Sequence, residues 1–176
     1  MIVLVGFMGA GKTTIGNLLA VRLGLPFADS DEVIERRAGR PISQIFADDG
    51  EPAFRALEHQ VIAELLDGPA LVLALGGGAA QHPQTQAKLT SAQVVYLEVS
   101  YEQALRRVGG DTGRPMLARS DLPELYQCRL PVYAGVATLT VATDGRPPEI
   151  ISQDILARLA AEQVPGGRAP SLRPAP

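Results

Sequence analysis

Gly6-Phe7-Met8-Gly9-Ala10-Gly11-Lys12-Thr13 is a complete G-x-x-x-x-G-K-[ST] phosphate-binding loop, and its reading decides the fold. The apolar run Met1-Ile2-Val3-Leu4-Val5 leads into it, and Ile15, Leu18, Leu19 and Leu23 follow at helical spacing before Gly24. Strand, loop and helix in that order are what phosphate binding requires. Such a loop turns successive backbone N–H groups toward one concavity, and the helix adds the positive end of its dipole. Lys12 supplies a mobile charge for the β- and γ-phosphates, and the Thr13 hydroxyl suits Mg²⁺. Gly9, Ala10, Gly11, Lys12, Thr13 and Thr14 are the expected nucleotide-binding residues.

Working outward, short apolar runs recur between helical patterns. They are Leu4-Val5, Pro26-Phe27-Ala28, Ala70 to Leu75, Val94-Val95-Tyr96-Leu97 and Thr138 to Val141. Helices are expected near 12–23, 32–38, 51–66, 101–108, 122–134 and 147–163. This alternation predicts an α/β fold, a five-stranded parallel sheet flanked by helices on both faces. Ligands in such sheets bind beyond the carboxyl ends of the strands. Glycine-rich Gly109 to Pro115, lying between a helix and a polar loop, is the expected mobile lid.

Composition narrows the classes. Of 176 residues, sixteen are basic and nineteen acidic, a net charge of −3. Nothing here attracts nucleic acid or an anionic membrane in general, so anion affinity must come from local clusters. No apolar run reaches the roughly 18 residues of a membrane span, and the opening stretch is too short for a secretory segment. Cys128, the one cysteine, allows no internal disulfide and fits a reducing compartment, and it is expected as a half-buried filler. A cytoplasmic monomer is expected. Residues 1–164 read as one domain, and Pro/Gly-rich 165–176 as a disordered tail.

Three strand ends carry the candidate chemistry. The second ends in Asp29-Ser30-Asp31, and these two carboxylates can serve two needs of phosphoryl transfer: Mg²⁺ beside Thr13, and the acceptor hydroxyl. Ser30 or Asp31 is alternatively a helix cap. The third ends in Gly76-Gly77-Gly78, where backbone amides can approach a ligand closely, or where the chain simply turns. That position often carries a Walker-B aspartate, so its absence moves metal organisation to Thr13 and Asp29. Arg55, Arg114 and Arg129 are candidate anion ligands, since guanidinium forks bind carboxylates and phosphates bidentately. Pro131, two residues beyond Arg129, is expected to interrupt an ordinary helix.

Taken together, the chain resembles the shikimate kinases. The landmarks are Gly-Ala-Gly-Lys-Thr-Thr at 9–14, Asp29-Ser-Asp31, Phe46 through Arg55, Gly76-Gly77-Gly78, Arg114-Pro115-Met116-Leu117 and Arg129-x-Pro-x-Tyr133. The resemblance implies a P-loop NTPase of the nucleoside monophosphate kinase type that uses ATP and Mg²⁺ to phosphorylate shikimate. It implies that Asp31 binds the ring hydroxyls as candidate base, and that Arg55, Arg129 and the amides around Gly77 hold the acid. Arg114 would close over the phosphates with the lid. Arg107 would stack on adenine, with Arg146 and Pro148 on the other side of the base. Between Arg114 and Arg129 the chain is about one helical turn shorter than is usual in the family. A whole-turn deletion keeps a helix face in register, whereas a partial one rotates Arg129 away. Gly135 stands where many members have a glutamate. The competing readings are a kinase for another small polyhydroxy acid such as gluconate, and a nucleotide-binding regulatory protein without transfer activity.

Overall fold

Residues 1–109 and 121–162 are described by a computed structural model. β1 (Ile2–Val5) runs through the phosphate loop into α1 (Lys12–Leu23), and β2 (Phe27–Asp29) leads directly into α2 (Ser30–Ala38). α3 (Ile42–Asp67) returns the chain to β3 (Val72–Ala74), a 3₁₀ turn (Ala79–Gln81) and α4 (Pro83–Leu89). β4 (Gln93–Glu98), α5 (Tyr101–Val108), α6 (Leu122–Val136), β5 (Leu139–Ala142) and α7 (Pro148–Glu162) complete the described elements.

Among the described residues the sheet has five strands in the order β2-β3-β1-β4-β5, with every neighbouring pair parallel. Ile2 registers with Val72 on one side and with Gln93 on the other. β1 is therefore central, and the loop after it sits between the ends of its neighbours. All four residues of β1 and all three of β3 are buried, as a sheet covered on both faces requires. The main core gathers around this sheet, and a second cluster of Ile34, Ile45, Phe54 and Val61 joins α2 to α3.

The expected strands and helices are all present, with corrections at three places. α3 begins at Ile42, not near 51, because the break expected at Gly50-Glu51-Pro52 is a kink between two helical halves. Gly50 alone is non-helical there, at φ 81°, ψ 168°, and Pro52 falls in the opening turn of the second half, where its missing N–H costs nothing. The segment 83–89, left unassigned by periodicity, forms α4. α6 runs through Pro131, as the helix expected near 122–134 does, since packing against β4 and the 3₁₀ turn outweighs one lost backbone bond. Cys128 on this helix is exposed, not half-buried, because Arg129 and Tyr126 occupy the inward face. The expected lid beyond Gly109, with Arg114 to Leu117, and the tail at 165–176 lie outside the described residues.

Candidate active site

The phosphate loop is set by three positive-φ glycines, Gly6 at φ 148°, Gly9 at φ 75° and Gly11 at φ 92°. A Cβ on Gly9 would also lie 2.7 Å from the Ala104 carbonyl of α5. Gly11 caps α1 without a side-chain bond, and the first turn of that helix contains no acidic residue. The positive end of the helix is thus left for an external anion. Lys12 Nζ donates to the carbonyls of Gly6 (2.9 Å) and Phe7 (3.1 Å), folded across the loop it serves.

Asp29 stands at the end of β2 and faces two ways. Its Oδ2 accepts from Thr13 Oγ1 at 3.0 Å, while its Oδ1 accepts from the Asp31 backbone N–H at 3.0 Å. Asp29 is therefore the cap of α2, in place of the Ser30 or Asp31 cap considered from sequence. A hydroxyl and a carboxylate held together beside the loop form a hard oxygen donor set that fits Mg²⁺.

Gly76, Gly77 and Gly78 each receive one side chain from a different helix. A Cβ on Gly76 would overlap Oδ1 of Asp31, from the first turn of α2. One on Gly77 would lie 3.2 Å from a terminal nitrogen of Arg129, from α6, and one on Gly78 would lie 2.8 Å from Arg55, from α3. The run is a docking surface for three functional groups as well as a turn. Its start is tied to α2, because the Gly76 N–H donates to the buried Ser30 Oγ at 2.9 Å.

The electrostatics differ from group to group. Burial, assisted by Asp29 and Glu58 and opposed by Lys12, pushes the Asp31 carboxyl up to about 6. Arg55 bonds Glu58 (2.6 Å) and Glu51 (3.3 Å), and its guanidinium lies over the Phe54 and Phe46 rings at 5.0 and 5.9 Å. Glu58 is 3% exposed, and burial pushes its carboxyl above the ordinary value while Arg55 acts the other way. Arg129 is 6% exposed, and its Nε has no hydrogen-bond partner among the described residues. Beside it the Tyr133 hydroxyl donates to the Gly77 carbonyl, and burial pushes that phenol up to about 12. The shorter segment before α6 has not rotated Arg129 off the site, since its side chain reaches Gly77.

On the nucleotide side, Arg107 donates to the Gly9 carbonyl (3.0 Å) and to Thr143 Oγ1 (3.2 Å) and carbonyl (2.7 Å). Arg146 donates to the Ala142 carbonyl and to Asp154, both at 3.0 Å, and Pro148 opens α7. Arg107 and Arg146 thus both meet the chain at the carboxyl end of β5. Glu58 was missed from sequence, although Arg55-x-x-Glu58 on an otherwise apolar helix face is a readable signal. Thr143 carried no signal of its own, whereas Ser30 and Tyr133 stand within the landmarks quoted above.

Gly76→Ala tests the docking surface directly. Gly76 is not among the positive-φ glycines, so alanine is compatible with the backbone and the added methyl falls first on the Asp31 carboxyl, which supplies its three nearest atoms. A displacement of about 1 Å costs roughly 10²-fold in rate. The variant should fold with an unchanged melting profile and lose kcat on that scale, and wild-type kcat would show that Asp31 has room to move.

A phosphate loop on a parallel sheet, faced by a carboxylate and two arginines across one rim, defines a P-loop phosphotransferase with a small anionic acceptor. The family model for shikimate kinase matches residues 8–160. The chain belongs to the shikimate kinase family. It is 52% identical to a shikimate kinase of Salinispora arenicola, covering 90% of this chain and 97% of that one. It is 51% identical to one of Thermobifida fusca, covering 90% and 94%. A solved shikimate kinase of Acinetobacter baumannii in complex with shikimate superposes with a TM-score of 0.88 at 40% identity, covering 93% of this chain and 94% of that one.

Proposed function

We propose that this chain transfers the γ-phosphoryl group of ATP to the 3-hydroxyl of shikimate, giving 3-phosphoshikimate and ADP. The observation that carries this reading is the convergence of Asp31, Arg129 and Arg55 on three successive glycines. Shikimate is a small carboxylate bearing several hydroxyls, so it needs an arginine pair for the acid and a carboxylate for the alcohols.

Gly9 to Thr14 hold the triphosphate through backbone amides and the open end of α1, and Lys12 swings from the Gly6 and Phe7 carbonyls to the phosphates. Thr13 and Asp29 would hold Mg²⁺, which would supply positive charge to offset that of the triphosphate. Arg55 and Arg129 fix the acid beside the amides of Gly76 to Gly78. Asp31 orients the 3-hydroxyl and accepts its proton as the new O–P bond forms. The family resemblance assigns Arg114 to the transferring phosphoryl group and Arg107, Arg146 and Pro148 to the base. The location of Arg107 and Arg146 beside the loop and the end of β5 supports the latter assignment.

A coupled assay of ADP release with shikimate, quinate and gluconate tests the substrate. Shikimate should be turned over far above background ATP hydrolysis, and a rate indistinguishable from hydrolysis would refute the proposal. Asp29→Asn tests the metal site. Asparagine caps a helix about as well as aspartate, so the fold is kept while a carboxylate is lost. The Mg²⁺ concentration for half-maximal rate should rise about tenfold, and an unchanged requirement would remove Asp29 from the metal.

The wider setting is inferred in the same way. Residues 1–164 act as one domain with 165–176 as an appended tail, and the chain works as a cytoplasmic monomer. The single cysteine supports a reducing compartment. No helix among the described residues is long and apolar enough to cross a membrane.

A further inference from the structure

The second position of the phosphate loop is occupied by Phe7, and phosphate binding asks nothing of its side chain. The backbone of Phe7 works for the donor: its carbonyl accepts from Lys12 Nζ at 3.1 Å and from the Ala10 N–H at 3.2 Å. Its ring points elsewhere. Phe7 is 1% exposed, meets Tyr126 edge to face at 5.1 Å, and lies 5.9 Å from the guanidinium carbon of Arg129.

The two acceptor arginines are held by different means. Arg55 has carboxylate partners in Glu51 and Glu58 as well as two aromatic rings. Arg129 presents no such carboxylate bond among the described residues: its Nε is unpartnered, one terminal nitrogen abuts Gly77, and the Phe7 ring lies beside the group. A ring face attracts a buried cation through its quadrupole but does not neutralise it. Tyr133 and, through space, Glu58 also face the guanidinium, but its Nε donor stays available to an anion. An aliphatic side chain of similar volume would fill the same space without that attraction.

We propose that Phe7 is a positioning residue for the acceptor, its ring setting the guanidinium of Arg129 for the acceptor carboxylate. A residue of the donor loop thereby governs acceptor affinity. The inference rests on the reading that Arg129 binds the acid.

The test uses the full chain with Phe7→Leu and Phe7→Met, two apolar changes that lose the ring and only a little volume, so that failure of one to fold leaves the other. The KM for shikimate, and its Kd by calorimetry, should rise about 3- to 20-fold, while kcat and the KM for ATP stay within about twofold. In an Arg129→Gln background the effect of Phe7→Leu on kcat/KM for shikimate should shrink below about twofold. An unchanged KM for shikimate, an equal rise in the KM for ATP, or an undiminished effect in the Arg129→Gln background would each overturn the inference. If Arg129→Gln alone leaves kcat/KM for shikimate at the wild-type value, the acceptor reading fails and takes this inference with it.

Discussion

Asp31→Asn is expected to lower kcat by about 10²- to 10⁴-fold, the range of general acid–base catalysis, while the Kd for ATP stays within about twofold. Asparagine keeps the shape of the side chain and an oxygen acceptor but takes up no proton. The separation should be clean because the contacts of Asp31 divide. Its backbone N–H bonds Asp29, which caps α2 and reaches Thr13, and that bond survives the substitution. Its carboxylate lies against Gly76 on the acceptor side, so the substitution leaves the Asp29–Thr13 hydrogen bond in place. Steady-state rates beside a nucleotide titration decide the matter. Parallel loss of rate and ATP affinity would place Asp31 on the metal.

Arg129→Ala should act almost entirely on the other substrate. Truncating one partner of a buried, charge-assisted pair costs about 2–4 kcal/mol, or roughly 30- to 700-fold in affinity. Arg129 is 6% exposed and docks on Gly77, so little water competes with an acid placed there. The KM for shikimate should rise on that scale with a smaller change in kcat, the pattern of lost ground-state binding. A KM within twofold of wild type would mean that Arg55 carries the acid alone. Arg55→Ala gives a less readable result, because it also leaves the buried Glu58 carboxylate without its 2.6 Å partner.

The parts of the molecule legible in the sequence are those whose physics is local. Each apolar run read as a strand is one: β1, β3 and β4 because a sheet covered on both faces writes itself as uninterrupted apolar residues, and edge strand β5 with buried and exposed residues in alternation. The loop at 6–13 was legible because its glycines and Lys12 serve one purpose at fixed spacing. The first half of α3 was not, since Gly50 and Pro52 signal a break equally well when two helices share a kink. α4 is too short for periodicity to show. The acceptor side was legible only in outline. Asp31, Arg55 and Arg129 could be named from resemblance, but their meeting on Gly76, Gly77 and Gly78 depends on three long-range packings that no spacing encodes. Phe7 shows the same limit: it occupies a position that looks like core and gains its role from an arginine elsewhere in the chain.

The central place of β1 also bears on how the enzyme is made. The donor loop is written within the first thirteen residues, yet Ile2 pairs with Val72 on one flank and Gln93 on the other. Nonlocal parallel pairing is slow, because loop closure precedes the contacts that reward it. During synthesis the N-terminal segment must therefore wait, apolar and unpaired, until β3 and β4 have been translated. Nucleotide binding is therefore a property of the assembled sheet, and of the β3 and β4 pairings in particular, not of the loop alone.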